Sequence, residues 1–283
     1  MGMKEKIRFA KMHGIGNDYI YVNCLQQTLE QPERLARLWS DRHMGIGSDG
    51  LVLILPSETC DFRMRMFNAD GSEAEMCGNA ARCIGKYVYD FGLTNKTALT
   101  LETKAGIRPL RLFVDAHNRV ERVTVDMGEP MLDTQRIPVD LPRQQVIDEQ
   151  VFIADEVYDI TCVSMGNPHT VIFAADIDKM DLARRGAAIE YSELFPQRTN
   201  VEFVEVIDRT HLRMRVWERG AGETMACGTG ACAALTAAVL NNKTDRETEI
   251  TLRGGTLQVA WKNDNHIYLT GTATLVYEGE IEN

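Results

Sequence analysis

Cys77 and Cys227 lie in matching local text, 227 − 77 = 150 residues apart. The first closes F-N-A-D-G-S-E-A-E-M-C and runs on as G-N-A-A-R-C; the second closes W-E-R-G-A-G-E-T-M-A-C and runs on as G-T-G-A-C. Each has an aromatic ten residues earlier (Phe67, Trp217), a glutamate four earlier (Glu73, Glu223), and a glycine and a polar residue directly after (Gly78-Asn79, Gly228-Thr229). The same shift lays Arg63-Met64-Arg65 on Arg213-Met214-Arg215, Asn17 on Asn167 and Asn68 on Glu218, with no gap in the register of these pieces. Two matched half-chains with one cysteine each suggest two thiols facing each other across a pseudo-twofold axis. Inverting a carbon that bears hydrogen requires a proton to leave one face and another to arrive at the opposite face. Two bases on opposite faces do this by exchanging roles.

The residues after each cysteine support that chemistry. From Gly78 to Phe91 the apolar positions Ala80, Ala81, Ile84, Val88 and Phe91 recur at helical spacing, and Gly92 supplies a stop. From Gly228 to Leu240 nearly every residue is small or apolar, so this second helix should be buried on all sides, in the middle of a curved sheet. Both cysteines therefore precede a first helical turn, where the dipole and free N–H groups pull a thiol below its usual value of about 8.5. The N–H groups at Gly78-Asn79 and Gly228-Thr229 suit a carboxylate, and they would stabilise the charge that spreads onto it as the α-proton leaves. Such a site acidifies an amino acid without pyridoxal phosphate, so the expectation is no cofactor and no metal.

Other residues come with competing readings. Cys24, Cys60 and Cys162 read as inert buried thiols, and Cys83 and Cys232 as packing residues inside the helices. The rival for the cysteine pair is a zinc or redox module using Cys83 and Cys232 as further ligands. The spacings C-x5-C and C-x4-C lack a matched histidine pair. Glu218-Arg219, after a strand, offers a carboxylate to an ammonium group and a guanidinium to a carboxylate. His169 in the loop text G-N-P-H is a candidate for assisting proton transfer. The glycine-rich G-I-G-S-D-G (45–50) has no strand–glycine–helix context and is not a dinucleotide fingerprint.

The elements that must position these residues read mostly as short alternating strands: Phe62 to Asn68, Val120 to Met127 and His211 to Glu218. One further helix begins near Pro32, with Leu35, Leu38 and Trp39 on one face. The expected fold is α/β (α+β), with two pseudo-symmetric domains, each a bent, mostly antiparallel sheet wrapped around a central helix. Residues 1–125 with 271–283 form the first, residues 126–270 the second, and the site lies in the cleft between them. Met127-Gly128-Glu129-Pro130 marks the crossing, and the tail from Thr270 returns as a strand to the first domain.

Composition removes several classes of function. The 283 residues carry a net charge of −10, which disfavours a nucleic-acid surface. No apolar run is long enough to cross a bilayer, and the opening M-G-M-K-E-K-I-R-F has no apolar h-region, so export is not expected. Seven cysteines without an export signal read as reduced thiols of a cytoplasmic protein.

At these residues the chain resembles the diaminopimelate epimerase family, over nearly its whole length. The resemblance rests on F-A-K-M-H-G-I-G-N-D-Y (9–19), G-I-G-S-D-G, F-N-A-D-G-S-E, C-G-N-A-A-R-C, G-N-P-H, T-N-V-E-F (199–203), E-R-G-A-G-E-T and A-C-G-T-G-A-C. It implies cofactor-independent epimerisation of LL-diaminopimelate to the meso form, a precursor of lysine and peptidoglycan, with Cys77 and Cys227 as the acid/base thiols. It further implies that Asn17, Asn68, Asn167, Asn200, Glu218 and Arg219 hold the substrate's amino and carboxylate groups. Gly78-Asn79 and Gly228-Thr229 would receive the α-carboxylate, while His169 and Glu218 would support proton transfer. The implied partner is this small substrate alone, with neither nucleic acid nor membrane, in a chain that works by itself or as a homodimer. Sister families, the proline, hydroxyproline and histidine racemase-like enzymes and the phenazine-pathway isomerases, supply the alternative. Two departures stand out: Gly50, where some members carry a substrate-contacting glutamine, and Ala80, where glycine is expected.

Overall fold

The 150-residue shift that superposes the cysteine segments also superposes the elements that carry them. The computed structural model describes residues 6–282; residues 1–5, part of the segment read for a secretion signal, and Asn283 lie outside it. Two compact units result, Met1–Val125 with Gly271–Asn283, and Asp126–Thr270. In chain order the elements are β1 (Lys6–Gly14), β2 (Asn17–Asn23), α1 (Pro32–Ser40), β3 (Gly50–Leu55), β4 (Phe62–Asn68), β5 (Glu73–Ala74), α2 (Gly78–Asp90), β6 (Ala98–Thr103), β7 (Gly106–Val114) and β8 (Val120–Gly128). The second series is β9 (Glu149–Ile153), β10 (Glu156–Ser164), β11 (Pro168–Phe173), α3 (Leu182–Glu190), β12 (Asn200–Val206), β13 (His211–Glu218), β14 (Gly222–Thr224) and α4 (Gly228–Leu240). It ends with β15 (Glu247–Leu252), β16 (Gly255–Trp261), β17 (Ile267–Thr272) and β18 (Thr274–Glu282).

β1 and β10, α1 and α3, and α2 and α4 begin 150 residues apart, whereas β6 and β15 begin 247 − 98 = 149 apart. The gapless register therefore holds through the cysteine helices and loses one residue beyond them. Pairing is mostly antiparallel. The parallel pairs fall at equivalent places in the two units, β2–β3 with β4–β6 in one and β11–β12 with β13–β15 in the other. The fold is thus mixed α/β, with the helices few and the strands dominant.

The tail has a defined place. β18 runs antiparallel to β1, from Lys6 opposite Glu282 to His13 opposite Thr274. β9 occupies the corresponding place beside β10 in the second unit. A strand that arrives by hairpin in one unit is supplied from the far end of the chain in the other.

The helix at Pro32 forms as expected, and Leu35, Ala36 and Trp39 are buried with Leu51, Leu53 and Phe67 of β3 and β4. Leu38 is 52% exposed, so it does not belong to that face. α3, the counterpart of α1, was not foreseen. Its text L-A-R-R-G-A-A-I-E offers only two large apolar residues and places a glycine at mid-helix, which weakens the helical signal. Packing explains the glycine: a Cβ on Gly186 would lie 2.5 Å from the Trp217 ring. Trp217 Nε1 donates to Glu190 Oε2 at 2.7 Å, pinning the same helix to β13.

α4 is buried along nearly its whole length and packs against β10, β11, β12, β13, β15 and β16, the central position its composition demanded. α2 packs against β1 and β7. Their first residues, at the ends of these core helices, therefore sit on rigid supports.

Candidate active site

Each cysteine is an N-cap residue. Cys77 caps α2 with φ −140° and ψ 122°, and Cys227 caps α4 with φ −128° and ψ 112°. The extended cap turns the side chain across the first turn, beside backbone N–H groups that the helix leaves unpaired. At α4 the geometry is complete: Gly230 N donates to Cys227 Sγ at 3.3 Å, and Thr229 Oγ1 lies 3.5 Å from the same sulfur. At α2 the thiol donates instead to Asn17 Oδ1 at 3.5 Å.

The surroundings of Cys227 reverse one expectation. Burial first, then the negative charges of Glu218 and Glu202, push its thiol well above the usual range. The hydrogen bonds from Thr229 and Gly230 act the other way and do not prevail. Cys227 is 5% exposed, so desolvation outweighs the helix terminus and the sulfur rests as a thiol. Glu218 closes β13, and its Oε1 accepts from Thr224 Oγ1 at 2.5 Å. Burial raises its carboxyl above the ordinary value, against hydrogen bonds to Thr224 and Cys227 and the nearby His169. A carboxyl and a thiol in contact, each biased toward keeping its proton, form a unit through which a proton can be taken up and returned.

His169 lies in strand β11 rather than in a loop, and it is fully buried. Its Nδ1 is 2.7 Å from Glu202 Oε1, and its Nε2 is 3.0 Å from Asn167 Oδ1. Glu202 was missed as a site residue. A single charge between Val201 and Phe203 in a strand reads as solvent-facing, yet Glu202 is fully buried and its Oε2 has no hydrogen-bond partner. Its Oε1 also lies 2.7 Å from where a Gly230 Cβ would stand, so a side chain at 230 would have to displace this carboxylate.

The remaining candidates divide by neighbourhood. Asn17, Cys77 and Asn79 form one cluster, with Asn79 Nδ2 donating to Asn17 Oδ1 at 3.0 Å. Asn167, His169, Glu218, Cys227, Gly228 and Thr229 belong to the other, where Asn167 Nδ2 donates to Thr229 Oγ1 at 3.4 Å. Asn200 serves the backbone: it donates to Pro168 O at 2.8 Å and accepts from Arg219 N at 2.9 Å. Arg219 is exposed and donates to Gln197 O at 3.1 Å. Asn68 donates to Ser72 Oγ at 3.0 Å, across from Gly50 in the β3–β4 pair. A Cβ on Gly50 would stand 2.1 Å from Phe67 O, so a glutamine side chain has no room here unless β3 and β4 separate.

The other cysteines behave unevenly. Cys83, Cys162 and Cys232 are buried, and burial lifts Cys83 to about 11 and Cys162 to about 12. Cys24 and Cys60 are only half-buried, which corrects the reading of both as core thiols. Cys60 sits in a turn, its N–H bonded to Ser57 Oγ at 3.0 Å. Among the described residues, no three His, Cys, Asp or Glu side chains are grouped to hold a metal ion.

A sequence profile described as diaminopimelate epimerase matches residues 9–132 and 161–276. A diaminopimelate epimerase of Acetivibrio thermocellus is 57% identical over 277 residues, covering 98% of this chain and 99% of that one. One from Methanococcus maripaludis is 55% identical over 277 residues, covering 98% and 100%. Among solved structures, a probable proline racemase from Agrobacterium radiobacter shares the fold at a TM-score of 0.74 and 14% identity, covering 97% of this chain and 92% of that one. A phenazine biosynthesis protein of the PhzF family from Bacillus anthracis does so at 0.71 and 20%, covering 99% and 100%. Two matched half-chains, a cysteine capping an equivalent helix in each, and identity above one half along nearly the entire length lead to one assignment: the chain belongs to the diaminopimelate epimerase family.

Proposed function

We propose that this protein interconverts LL- and meso-diaminopimelate without a cofactor, using Cys77 and Cys227 on opposite faces of one α-carbon. The observation that carries the reading is the equivalence of the two thiols, each the N-cap of a core helix 150 residues from the other. One sulfur, as thiolate, takes the α-hydrogen as a proton, leaving its electron pair on the carbon and the carboxylate. The other, as thiol, gives its proton to the opposite face, so the sulfurs end with their states exchanged and no net proton is consumed. The bias of Cys227 toward its thiol form suits it to be the donor in one direction, and Glu218 in contact with it shares the load in the other.

The N–H groups of Gly78-Asn79 and Gly228-Thr229 receive the α-carboxylate and the charge that develops on it. Asn17, Asn68, Asn167, Glu218 and Arg219 hold the amino and carboxylate groups of the substrate, and Asn200 supports Arg219 through its backbone. His169, braced by Glu202, supports the Cys227 side. Among the described residues no helix is long and apolar enough to cross a membrane. All seven cysteines are free, consistent with a reducing cytoplasm as the working place.

The test is solvent-deuterium incorporation at the α-carbon of diaminopimelate, proline and histidine by the purified protein. Exchange into diaminopimelate alone is expected. Exchange into proline or histidine with none into diaminopimelate rejects the substrate assignment.

A further inference from the structure

Asp49 ends the segment G-I-G-S-D, one of the stretches that carry the family resemblance, which by itself implies no role for this carboxylate. Its Oδ2 accepts from Asn17 Nδ2 at 2.8 Å and from Asp18 N at 3.0 Å. Its Oδ1 accepts from Arg42 Nη2 at 2.9 Å, and Arg42 also holds Asp18 Oδ1 at 2.7 Å. Asp18 is clamped further by Lys11 Nζ at 2.5 Å. An ionised carboxylate can only accept, so Asp49 itself fixes which end of the Asn17 amide it meets. An amide whose NH₂ is held by a carboxylate must turn its oxygen the opposite way.

That oxygen faces the start of α2. Asn17 Oδ1 accepts from Cys77 Sγ at 3.5 Å and from Asn79 Nδ2 at 3.0 Å. Asn79 cannot turn either, because its Oδ1 accepts from Nη2 of the fully buried Arg82 at 2.8 Å. The network therefore has one consistent arrangement, fixed by the acceptor-only carboxylate of Asp49 at one end and the donor-only guanidinium of Arg82 at the other.

The second unit arranges its equivalent amide the other way round. The 150-residue shift places Thr199 where Asp49 stands, and Thr199 Oγ1 is engaged with Thr170 Oγ1 at 3.0 Å. Asn167 turns its oxygen to His169 Nε2 and its NH₂ to Thr229 at the start of α4. Matching asparagines thus present an acceptor to one cysteine helix and a donor to the other, and the group that decides this in the first unit is Asp49.

We infer that Asp49 is a positioning residue for the Cys77 half-site, orienting the Asn17 amide so that its oxygen receives the Cys77 thiol. The kinetic consequence rests on the proposed epimerase function; the geometry does not. In Asp49→Asn, Arg42 keeps the new amide's oxygen outward, so its NH₂ meets the NH₂ of Asn17 and the Asp18 N–H, donor against donor. Asn17 must then turn away from Cys77.

The direct readout is the infrared S–H stretching band of Cys77, isolated by subtracting the spectrum of Cys77→Ser. A thiol that loses its acceptor absorbs at higher frequency, and Asp49→Asn is expected to shift the band that way. Arg42→Leu, at a side chain 56% exposed, removes an outer donor but leaves the acceptor-only carboxylate facing Asn17, so the band should stay close to its wild-type place. In the epimerase assay, Asp49→Asn and Asn17→Ala should each lower kcat/KM roughly tenfold, with the double variant no worse than Asn17→Ala. A band that stays in place in Asp49→Asn, or losses that multiply in the double variant, overturns the inference. A wild type without exchange into diaminopimelate defeats the proposed function instead, while the thiol band still decides the role of Asp49.

Discussion

Replacing either Cys77 or Cys227 by serine is expected to remove nearly all epimerisation, while each variant keeps one-sided chemistry on one stereoisomer. A full turnover needs a base on one face and an acid on the other. A serine hydroxyl is too weak a base at neutral pH to replace a thiolate, so a loss of roughly 10²–10⁴-fold is expected from either change. A diaminopimelate analogue with a halide on the β-carbon separates the two faces. Its turnover needs only removal of the α-proton, after which the electron pair forms the double bond and the halide leaves with its own. In the proposed two-face arrangement each α-hydrogen points at one sulfur, so the LL and meso analogues should be processed by opposite variants. Halide release measured for both variants on both isomers checks this. Equal residual release in all four combinations would mean that a single base serves both faces.

The second large effect concerns Glu218, where activity and stability should part company. Its carboxyl is raised above 4.5 chiefly by burial, so folding favours the protonated form. The sign follows from linkage: this group's contribution to stability is fully present below about pH 4.5 and is lost as pH rises through the higher native value. Glu218→Gln keeps the shape and removes the charge, and it should be as stable as wild type in acid and more stable at neutral pH. About 1 kcal/mol is reasonable for removing a poorly solvated charge, worth roughly 2–4 °C in Tm. Epimerisation should nevertheless fall by roughly 10²-fold or more, because Cys227 loses the group it touches. Thermal melts at pH 4.5 and pH 8 beside kcat check both halves. A variant that retains full activity, or that melts lower at pH 8, contradicts this role for the carboxylate.

The legible part of the fold came from its duplication. The text around Cys77 and Cys227 revealed where α2 and α4 begin, since a cap residue followed by glycine and a helical pattern is local information. α3 stayed hidden although it stands 150 residues after α1, because Gly186 answers to the ring of Trp217 and not to helix propensity. Glu202 and Asp49 were invisible for a related reason. Each is ordinary in its own segment and acquires meaning only from a partner brought alongside, His169 by the parallel pairing of β11 with β12 and Asn17 by the turn before β3. The expectation that the helix end would lower Cys227 failed on magnitude: desolvation and two carboxylates exceed what one helix terminus supplies.

The two-base arrangement itself is tested most directly by where isotope enters at the start of the reaction. LL-diaminopimelate is incubated with the wild-type protein in deuterium oxide, and product and remaining substrate are separated at low conversion. With Cys77 and Cys227 on opposite faces, the proton removed stays with one sulfur while a solvent-derived deuteron comes from the other. The meso product should therefore carry deuterium at the inverted carbon from the first turnovers, and recovered LL substrate should carry almost none. Deuterium appearing in recovered substrate as fast as in product would mean that one base serves both faces, and would contradict the account.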